Sequence, residues 1–211
     1  SGTNPGLQLT LTGNTFNGSV FGAVLNNVQN FTLSHTNSFT GAGHSGGIPL
    51  SISGTNVTVD SLALGFATIQ GGIGINVTDR FFNQFSRGAS VGVTISNTTV
   101  TGFGTGINAD FTNRSPANAL TLNNVTACGN SRGIGVRANG AQVLGGNVGG
   151  TTLDGIHVYS LSTGILINGV NFSGNPTNVV DDTGLAVVTG STNNPFNCPA
   201  PGAPANSPPT V

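Results

Sequence analysis

The stretch Leu120-Thr-Leu-Asn-Asn-Val-Thr-Ala-Cys-Gly-Asn-Ser-Arg-Gly-Ile-Gly-Val136 contains the pattern that decides the fold. A β-rich stretch is followed by a Gly or Asn corner and then by a second short strand that opens with Gly133-Ile134. Further copies start at Leu9, Phe31, Val57, Val93, Val143, Ile165 and Leu185. The copies recur mostly every 20 to 27 residues, with one step of 36 residues, and self-similarity at this period is typical of a solenoid. Because the unit contains only short strands, the sequence predicts a β-helix.

Turn-forming residues recur at two corners of the repeat. Glycine and asparagine tolerate positive φ at the lowest cost in energy, so they allow the chain to bend sharply. The first corner holds Gly13, Asn97, Asn124, Asn147 and Gly169, and the second holds Gly18, Gly102, Gly129 and Gly174. Between the corners the apolar residues alternate, as at Leu120 and Leu122, which points every second side chain inward. Stacked coils would bury these side chains in one continuous core.

The strand that opens a coil has the form Gly-Ile-x-Val at Gly133-Ile134-Gly135-Val136 and at Gly155-Ile156-His157-Val158. This motif resembles the repeat of right-handed parallel β-helices, the pectate-lyase-like superfamily, and the resemblance extends over about residues 7–192. It implies an all-β fold, a single-stranded right-handed parallel β-helix of roughly eight coils. The family includes polysaccharide lyases, glycoside hydrolases, viral tailspikes and surface adhesins, so the fold alone does not choose a function.

The repeat pattern ends near Thr192, which divides the chain into two parts. Residues 1–192 are predicted to form the β-helix domain, and residues 193–211 a Pro-rich, extended tail. The tail is interpreted as a linker to further domains, an unstructured end or an arm laid on a neighbour. No amphipathic capping helix is visible at the N-terminus, and an open β-helix end exposes unpaired backbone groups. We therefore expect an outside partner at the ends or stacking on other copies.

Charged residues make up only 5% of the chain of 211 residues. Lys, Glu, Met and Trp are absent, so every acidic side chain is Asp and every basic one is Arg. A formal net charge of −1 provides no basic surface for nucleic acid, and no apolar run approaches the ~20 residues of a membrane span. The lack of any Met predicts a processed mature protein or an excised domain.

Two cysteines, Cys128 and Cys198, are predicted to form a disulfide, within the chain or between neighbours. Cys128 follows the inward-facing Ala127 and should lie on the outer side of its coil, whereas Cys198 lies in the tail. An exposed pair favours a disulfide and hence an oxidising compartment. We expect an extracellular location, at the surface of a cell or a virion. Asn-x-Ser/Thr sequences leave glycosylation open.

Five of the eleven formally charged side chains fall on the outer side of the Gly-Ile-x-Val strands. The repeat register predicts that Arg132 lies beside Asp154. Two further outward rows consist of Asn108, Gly135 and His157, and of Asp110, Arg137, Tyr159 and Asp182. This stripe of charges is the best candidate for a functional site.

The stripe allows two interpretations. In a polysaccharide site, carboxylates would perform acid–base chemistry or bind a metal, and Arg would bind a sugar carboxylate; the weak catalytic candidates are Asp154, His157, Arg132, Arg137 and Asp110. In a ladder of opposite charges, each pair on adjacent coils would add a fraction of a kcal/mol. The ladder is favoured because the carboxylates are interleaved with Arg. His35, His44 and His157 share no ligand spacing, so we predict neither a metal nor a cofactor.

A Phe-rich loop, Asp79-Arg-Phe-Phe-Asn-Gln-Phe-Ser-Arg87, follows the strand at 73–77 and accounts for the long step of the repeat. A second insertion, 110–118, leaves the equivalent point of the next coil. The loops would emerge side by side, either as a small cluster folded over the coil or as a self-association patch. The candidate patch consists of Arg80, Phe81, Phe82, Phe85, Arg87 and Phe111.

These features together favour a non-enzymatic extracellular structural or surface protein that assembles with copies of itself, as a filament, appendage or adhesin subunit. A cell-surface glycan is a further candidate partner. A homotrimeric viral receptor-binding tailspike or fibre is the first alternative, and a polysaccharide lyase or glycoside hydrolase is the second. The sequence predicts neither nucleic-acid binding nor a membrane span.

Overall fold

The computed structural model describes residues 10–11, 13–16, 20–34, 37, 39, 46–66, 68–81, 85–86, 91–111 and 120–198. All secondary-structure elements within these residues are β-strands. In chain order they are β1 (Thr10–Leu11), β2 (Phe21–Leu33), β3 (Ile48–Asp60), β4 (Ala63–Gly65), β5 (Ile73–Thr78), β6 (Arg80–Phe81), β7 (Phe85–Ser86), β8 (Thr94–Ser96), β9 (Thr99–Thr101), β10 (Thr105–Asp110), β11 (Thr121–Asn123), β12 (Thr126–Cys128), β13 (Arg132–Arg137), β14 (Gln142–Leu144), β15 (Asn147–Gly149), β16 (Asp154–Val158), β17 (Leu166–Asn168), β18 (Asn171–Ser173), β19 (Val179–Asp181) and β20 (Val187–Thr189). A helix long and apolar enough to cross a membrane is not found in the part of the chain that the structure describes.

The strands stack in three parallel ladders. The first ladder contains the N-terminal parts of β2 and β3, followed by β5, β10, β13, β16 and β19. The second contains β1, the C-terminal parts of β2 and β3, and then β8, β11, β14, β17 and β20. The third contains β4, β9, β12, β15 and β18. One repeat, for example β11–β12–β13, visits each ladder once, so the all-β chain has the solenoid-like parallel stacking of a β-helix.

The core consists of columns of inward-facing side chains, one from each coil. In the first ladder Ile107 pairs with Ile134 and Ile134 with Ile156, and all three are fully buried. Ile134 therefore faces inward between its two neighbours. Full burial of an aliphatic side chain of this size is worth about 1.5–3 kcal/mol relative to exposure. The columns therefore supply much of the stability that a single coil lacks.

Left-handed backbone marks the first corner where Gly and Asn predicted it, with φ of 68° at Gly13, 49° at Asn97, 52° at Asn124 and 68° at Gly169. The prediction for Asn147 is wrong. Asn147 lies in β15 opposite Thr126 and Asn171, and the corner residue of its coil is Gly145, with φ of 65°. The Gly-Gly-Asn run offers three residues that tolerate positive φ, and only the pairing of β14 with β11 decides among them.

The second corner also agrees with the prediction wherever it is described. Gly102, Gly129 and Gly174 have φ of 77°, 61° and 67°. Gly18 lies outside the described residues. Both corner columns are thus backbone features that the residue type alone can indicate, because Gly and Asn reach this conformation with little strain.

A buried asparagine joins one coil to the previous one. Asn130 is fully buried; its Oδ1 accepts a hydrogen bond from the Phe103 N–H at 2.9 Å, and its Nδ2 donates to the Val100 carbonyl at 3.0 Å. Asn175 repeats the arrangement, donating to Val148 and accepting from Thr151. These amides satisfy backbone groups at the corner of the preceding coil that would otherwise be buried without a partner.

We predict that Asn130→Ala lowers the free energy of unfolding by about 3 kcal/mol, because it leaves one buried N–H and one buried C=O without these partners. The measurement is chemical denaturation of the purified chain. Asn123→Ala is the matched control, since Asn123 is exposed on β11 and should change stability by at most about 0.5 kcal/mol. Equal stability of the two variants would contradict a role for the Asn130 amide.

Candidate functional site

The strands of the first ladder bring five polar residues together on their outer side. We call Arg132, Asp154, His157, Tyr159 and Asp182 the charged cluster. Arg132 lies at the start of β13 and Asp154 at the start of β16, directly opposite in the register. This confirms the predicted juxtaposition of the two, which follows from the repeat. His157 lies opposite Gly135, also as predicted.

Arg132 and Asp154 form a two-pronged ion pair. The Arg132 Nε donates to Asp154 Oδ1 at 2.6 Å, and Nη2 donates to Oδ2 at 3.0 Å. Only 8% of the Asp154 side chain is exposed. The hydrogen bond to Asp154 raises the pKa of Arg132 above its ordinary value, although burial of the guanidinium opposes this shift. The Asp154 carboxylate is therefore neutralised and largely shielded from solvent.

His157 bridges two carboxylates from different coils. Its Nδ1 lies 3.3 Å from Asp154 Oδ2, and its Nε2 lies 3.1 Å from Asp182 Oδ2. A neutral imidazole carries a single N–H, so only the imidazolium donates to both carboxylates at once. Asp182 follows β19, and the contact therefore ties the last strand of the first ladder to β16.

The Tyr159 ring covers the gap left by a glycine in the outward row. A Cβ at Gly135 would lie 3.1 Å from Tyr159 Cε2, so the ring rests on the glycine backbone. The His157 ring stacks on Tyr159 with centroids 4.4 Å apart, and the Arg132 Nη1 donates to the Tyr159 hydroxyl. The Arg137 guanidinium carbon is 5.0 Å from the ring centroid. The Tyr159 ring thus packs against residues of the protein itself, and these contacts leave little of its face for stacking on a sugar.

A second pair extends the stripe at its outer edge. Arg137 Nη1 lies 3.4 Å from Asp110 Oδ1, and about two fifths of the Arg137 side chain is exposed. An exposed pair with this geometry adds at most about 1 kcal/mol. Together with Arg132 and Asp154 it gives alternating charges on adjacent strands, which is the arrangement expected of a charge ladder.

Among the catalytic candidates, Asp154 is the one whose access to a substrate the ion pairs restrict most. Hydrolysis of a glycosidic bond uses, in most enzyme families, two carboxyl groups that reach the substrate. Asp154 is instead engaged by Arg132 and His157 and mostly covered. Among the described residues there is no group of three or more His, Cys, Asp or Glu side chains that could hold a metal ion. His35 and His44 lie outside the described residues.

Beyond Asp79, which is fully buried, the Phe-rich loop is described only through short pieces of backbone. β6 and β7 pair in an antiparallel hairpin, and the two insertions leave adjacent strand ends, since Thr78 pairs with Asp110. The side chains of Arg80, Phe81 and Phe85, and the whole of Phe82 and Arg87, lie outside the described part. Phe111 is fully buried in the core. It therefore does not contribute exposed surface to a patch on a single chain.

Cys128 and Cys198 form a disulfide within the chain, as predicted, with 5.6 Å between their Cα atoms. The expectation that the pair is exposed is wrong for Cys128, which is fully buried. The reason is that the segment after Thr192 turns back along the outside of the third ladder. The Asn194 N–H donates to Asn171 Oδ1 at 2.9 Å, and a Cβ at Gly149 would lie 2.7 Å from the Phe196 ring.

In the sequence, the glycine opposite Cys128 is the one feature that could have indicated this packing. Gly149 pairs with Cys128 in the third ladder, and its missing side chain leaves the space that the Phe196 ring occupies. A lone glycine inside a strand often marks a close approach by another segment.

No family model, no curated protein and no solved structure matches the chain.

Proposed function

We propose that this chain is a non-enzymatic structural protein of an extracellular surface, of a cell or a virion, and that its copies assemble by stacking through their coil ends. The observation that carries the proposal is the open C-terminal end of the solenoid. The charged cluster supports the non-enzymatic part, because its carboxylates are paired within the protein.

The last coil exposes a side chain at a position that is buried in the strands of the same ladder from β2 to β17. Val188 pairs with Ile167 in the second ladder, and Ile167 pairs with Val143. Ile167 is fully buried and Val143 nearly so, whereas 47% of Val188 is exposed. The register thus places Val188 in an inward column that has no further coil stacked on it among the described residues.

Neighbouring residues enlarge this apolar end. Leu185 is 63% exposed and Val187 is 53% exposed, and an open depression beside Val188 is lined by Phe172 and Val179. β19 and β20 are edge strands, each paired on one side only in the described structure. An edge strand presents unpaired backbone N–H and C=O groups that another chain can extend.

A second copy of this chain is the occupant that fits such an end. A parallel coil from another molecule would continue the ladders with the same strand spacing and would cover the apolar residues at about 25 cal/mol per Å² buried. The Phe-rich loop and the tail at 193–211 remain candidates for additional contacts between copies.

The handedness of the β-helix and its number of coils are part of the same proposal. We infer a right-handed β-helix of roughly eight coils, similar to the pectate-lyase-like superfamily, because crossovers between parallel strands are right-handed in nearly all known cases. The intrachain disulfide supports an oxidising, extracellular location.

Val188→Asp tests the stacking of coil ends. We expect the parent chain to form concentration-dependent oligomers in sedimentation and filaments in electron micrographs, and the variant to sediment as a monomer. Because Val188 is half exposed, the new carboxylate stays hydrated in the single chain and opposes only the stacked form. Leu153→Asp is the control, since Leu153 is 57% exposed on a turn of an earlier coil.

Other results would contradict the proposal in recognisable ways. A parent chain that is monomeric over a wide concentration range would contradict self-assembly altogether. A discrete trimer would instead favour the viral fibre. Shortening of an acidic polysaccharide in a reducing-end assay would favour the lyase or hydrolase.

A further inference from the structure

Threonine occupies one outward position of the second ladder in four successive strands, β2, β3, β8 and β11. Thr32 pairs with Thr58, Thr58 with Thr94, and Thr94 with Thr121, and the backbone of Thr10 continues the column below Thr32. We call Thr32, Thr58, Thr94 and Thr121 the threonine array. Each of these side chains is exposed or half-buried, and the inward residue that follows each of them is fully buried.

A second outward column runs beside the array, two residues later in each strand. It contains Asp60, Ser96 and Asn123, again in direct register. Asp60 is the one charged residue in these two columns, and its carboxylate accepts hydrogen bonds from Ser61 Oγ at 3.0 Å and Asn97 Nδ2 at 2.9 Å. The described face is therefore polar, and its single charged group, the Asp60 carboxylate, is held by two neutral hydrogen-bond donors.

The backbone holds this face to two regular repeats. Parallel strands are about 4.8 Å apart, and alternate residues along a strand are about 6.6 Å apart. The β-branched side chain of threonine is stiff at χ1, so its hydroxyl and methyl groups keep the same repeats. No register shift interrupts the pairing between β3, β8 and β11. The result is a two-dimensional grid of side-chain positions. One column carries hydroxyl and methyl groups, and the other carries the Asp60 carboxylate, the Ser96 hydroxyl and the Asn123 amide.

We propose that the threonine array binds the surface of ice. The spacing of the strands is close to the spacing of water oxygens along one axis of hexagonal ice, and the spacing along a strand is close to the repeat across it. A grid of this kind adds many weak water-mediated contacts to a solid lattice, while liquid water offers no matching order. Charges would orient water differently, and Asp60 is the one charged residue in the two described columns.

A crystalline polysaccharide is a less suitable occupant for this face. Flat sugar surfaces are recognised through aromatic rings, but the chain has no Trp, and its one Tyr lies on the first ladder within the charged cluster. The array also ends before the C-terminal coils, where Gln142, Leu166 and Val187 take the threonine position. Ice binding is thus separate from the coil end proposed for self-assembly and does not depend on it.

Thr94→Lys tests the array at its centre. Thr99→Lys is the matched control: Thr99 also starts a three-residue strand and precedes a fully buried aliphatic residue, but it lies in the third ladder. The probe is ice itself. We would measure thermal hysteresis and the fraction of the full chain incorporated into a slowly growing ice front. The parent and Thr99→Lys should show both effects, and Thr94→Lys should lose most of them.

A melting curve for each variant separates loss of binding from loss of folding. If Thr94→Lys melts well below the parent, Thr121→Lys repeats the test in the next coil of the same array. The proposal is overturned by a parent chain that is excluded from ice and gives no thermal hysteresis. It is equally overturned if the Thr99 variant loses as much activity as the array variants, or if the chain binds crystalline cellulose and not ice.

Discussion

Ile134→Asp should lower the free energy of unfolding by about 4 kcal/mol, because it places an unpaired carboxylate in a column where Ile107 and Ile156 leave no access to water. For a domain of this size that corresponds to a fall in melting temperature of roughly 8–16 °C. Chemical denaturation and thermal melting, followed by circular dichroism, would measure both quantities.

Thr105→Asp is the control for this substitution. Thr105 belongs to the same ladder but faces outward beside Arg132, so a carboxylate there remains hydrated and close to a positive charge. We expect a change of at most about 0.5 kcal/mol. If Ile134→Asp melts within about 2 °C of the parent, the assignment of inward and outward positions is incorrect.

Loss of the disulfide should have an effect of similar size. The bond joins residues that are 70 positions apart, and closing a loop of this length stabilises the folded state by about 4 kcal/mol in the chain-entropy account. The double variant Cys128→Ala/Cys198→Ala should therefore unfold at a clearly lower denaturant concentration than the parent.

The parent treated with a reductant after unfolding should refold with the stability of the double variant, and the reductant should leave the double variant unchanged. Two free thiols in a titration of the unfolded, unreduced parent would show that the bond is absent.

Much of the fold could be predicted because its rules are local. The alternation around Leu120 and Leu122 and the repeat length together align each coil with the next, and this alignment places Ile134 inside the core and Arg132 beside Asp154. Residue type predicted the corners at Gly13 and Asn124 for the same reason. It misplaced the corner at Asn147, where three adjacent residues all tolerate positive φ.

The candidate site was only partly predictable. Register predicts which residues are neighbours in a ladder, but it does not predict how their side chains turn. The stacking of Tyr159 over Gly135 and the bridge from His157 to Asp182 depend on rotamers and on the turn after β19. These contacts engage the carboxylates of Asp154 and Asp182 and the ring of Tyr159, which is the arrangement expected of a charge ladder.

What the sequence alone determined is the all-β repeat, the columns of the core and most corners, since each follows from spacing and from the φ that a residue type tolerates. Only the tertiary structure decided the environment of Asn130, Cys128 and Val188. By residue type, Asn130 is a turn former and Val188 is a core residue. The position of Cys128 next to an inward-facing residue predicted that it is exposed. In the folded chain Asn130 bonds the previous coil, Cys128 is covered by the returning tail, and Val188 is half exposed at the open end. Burial depends on which distant segment packs on a position, and residue type carries no record of that segment.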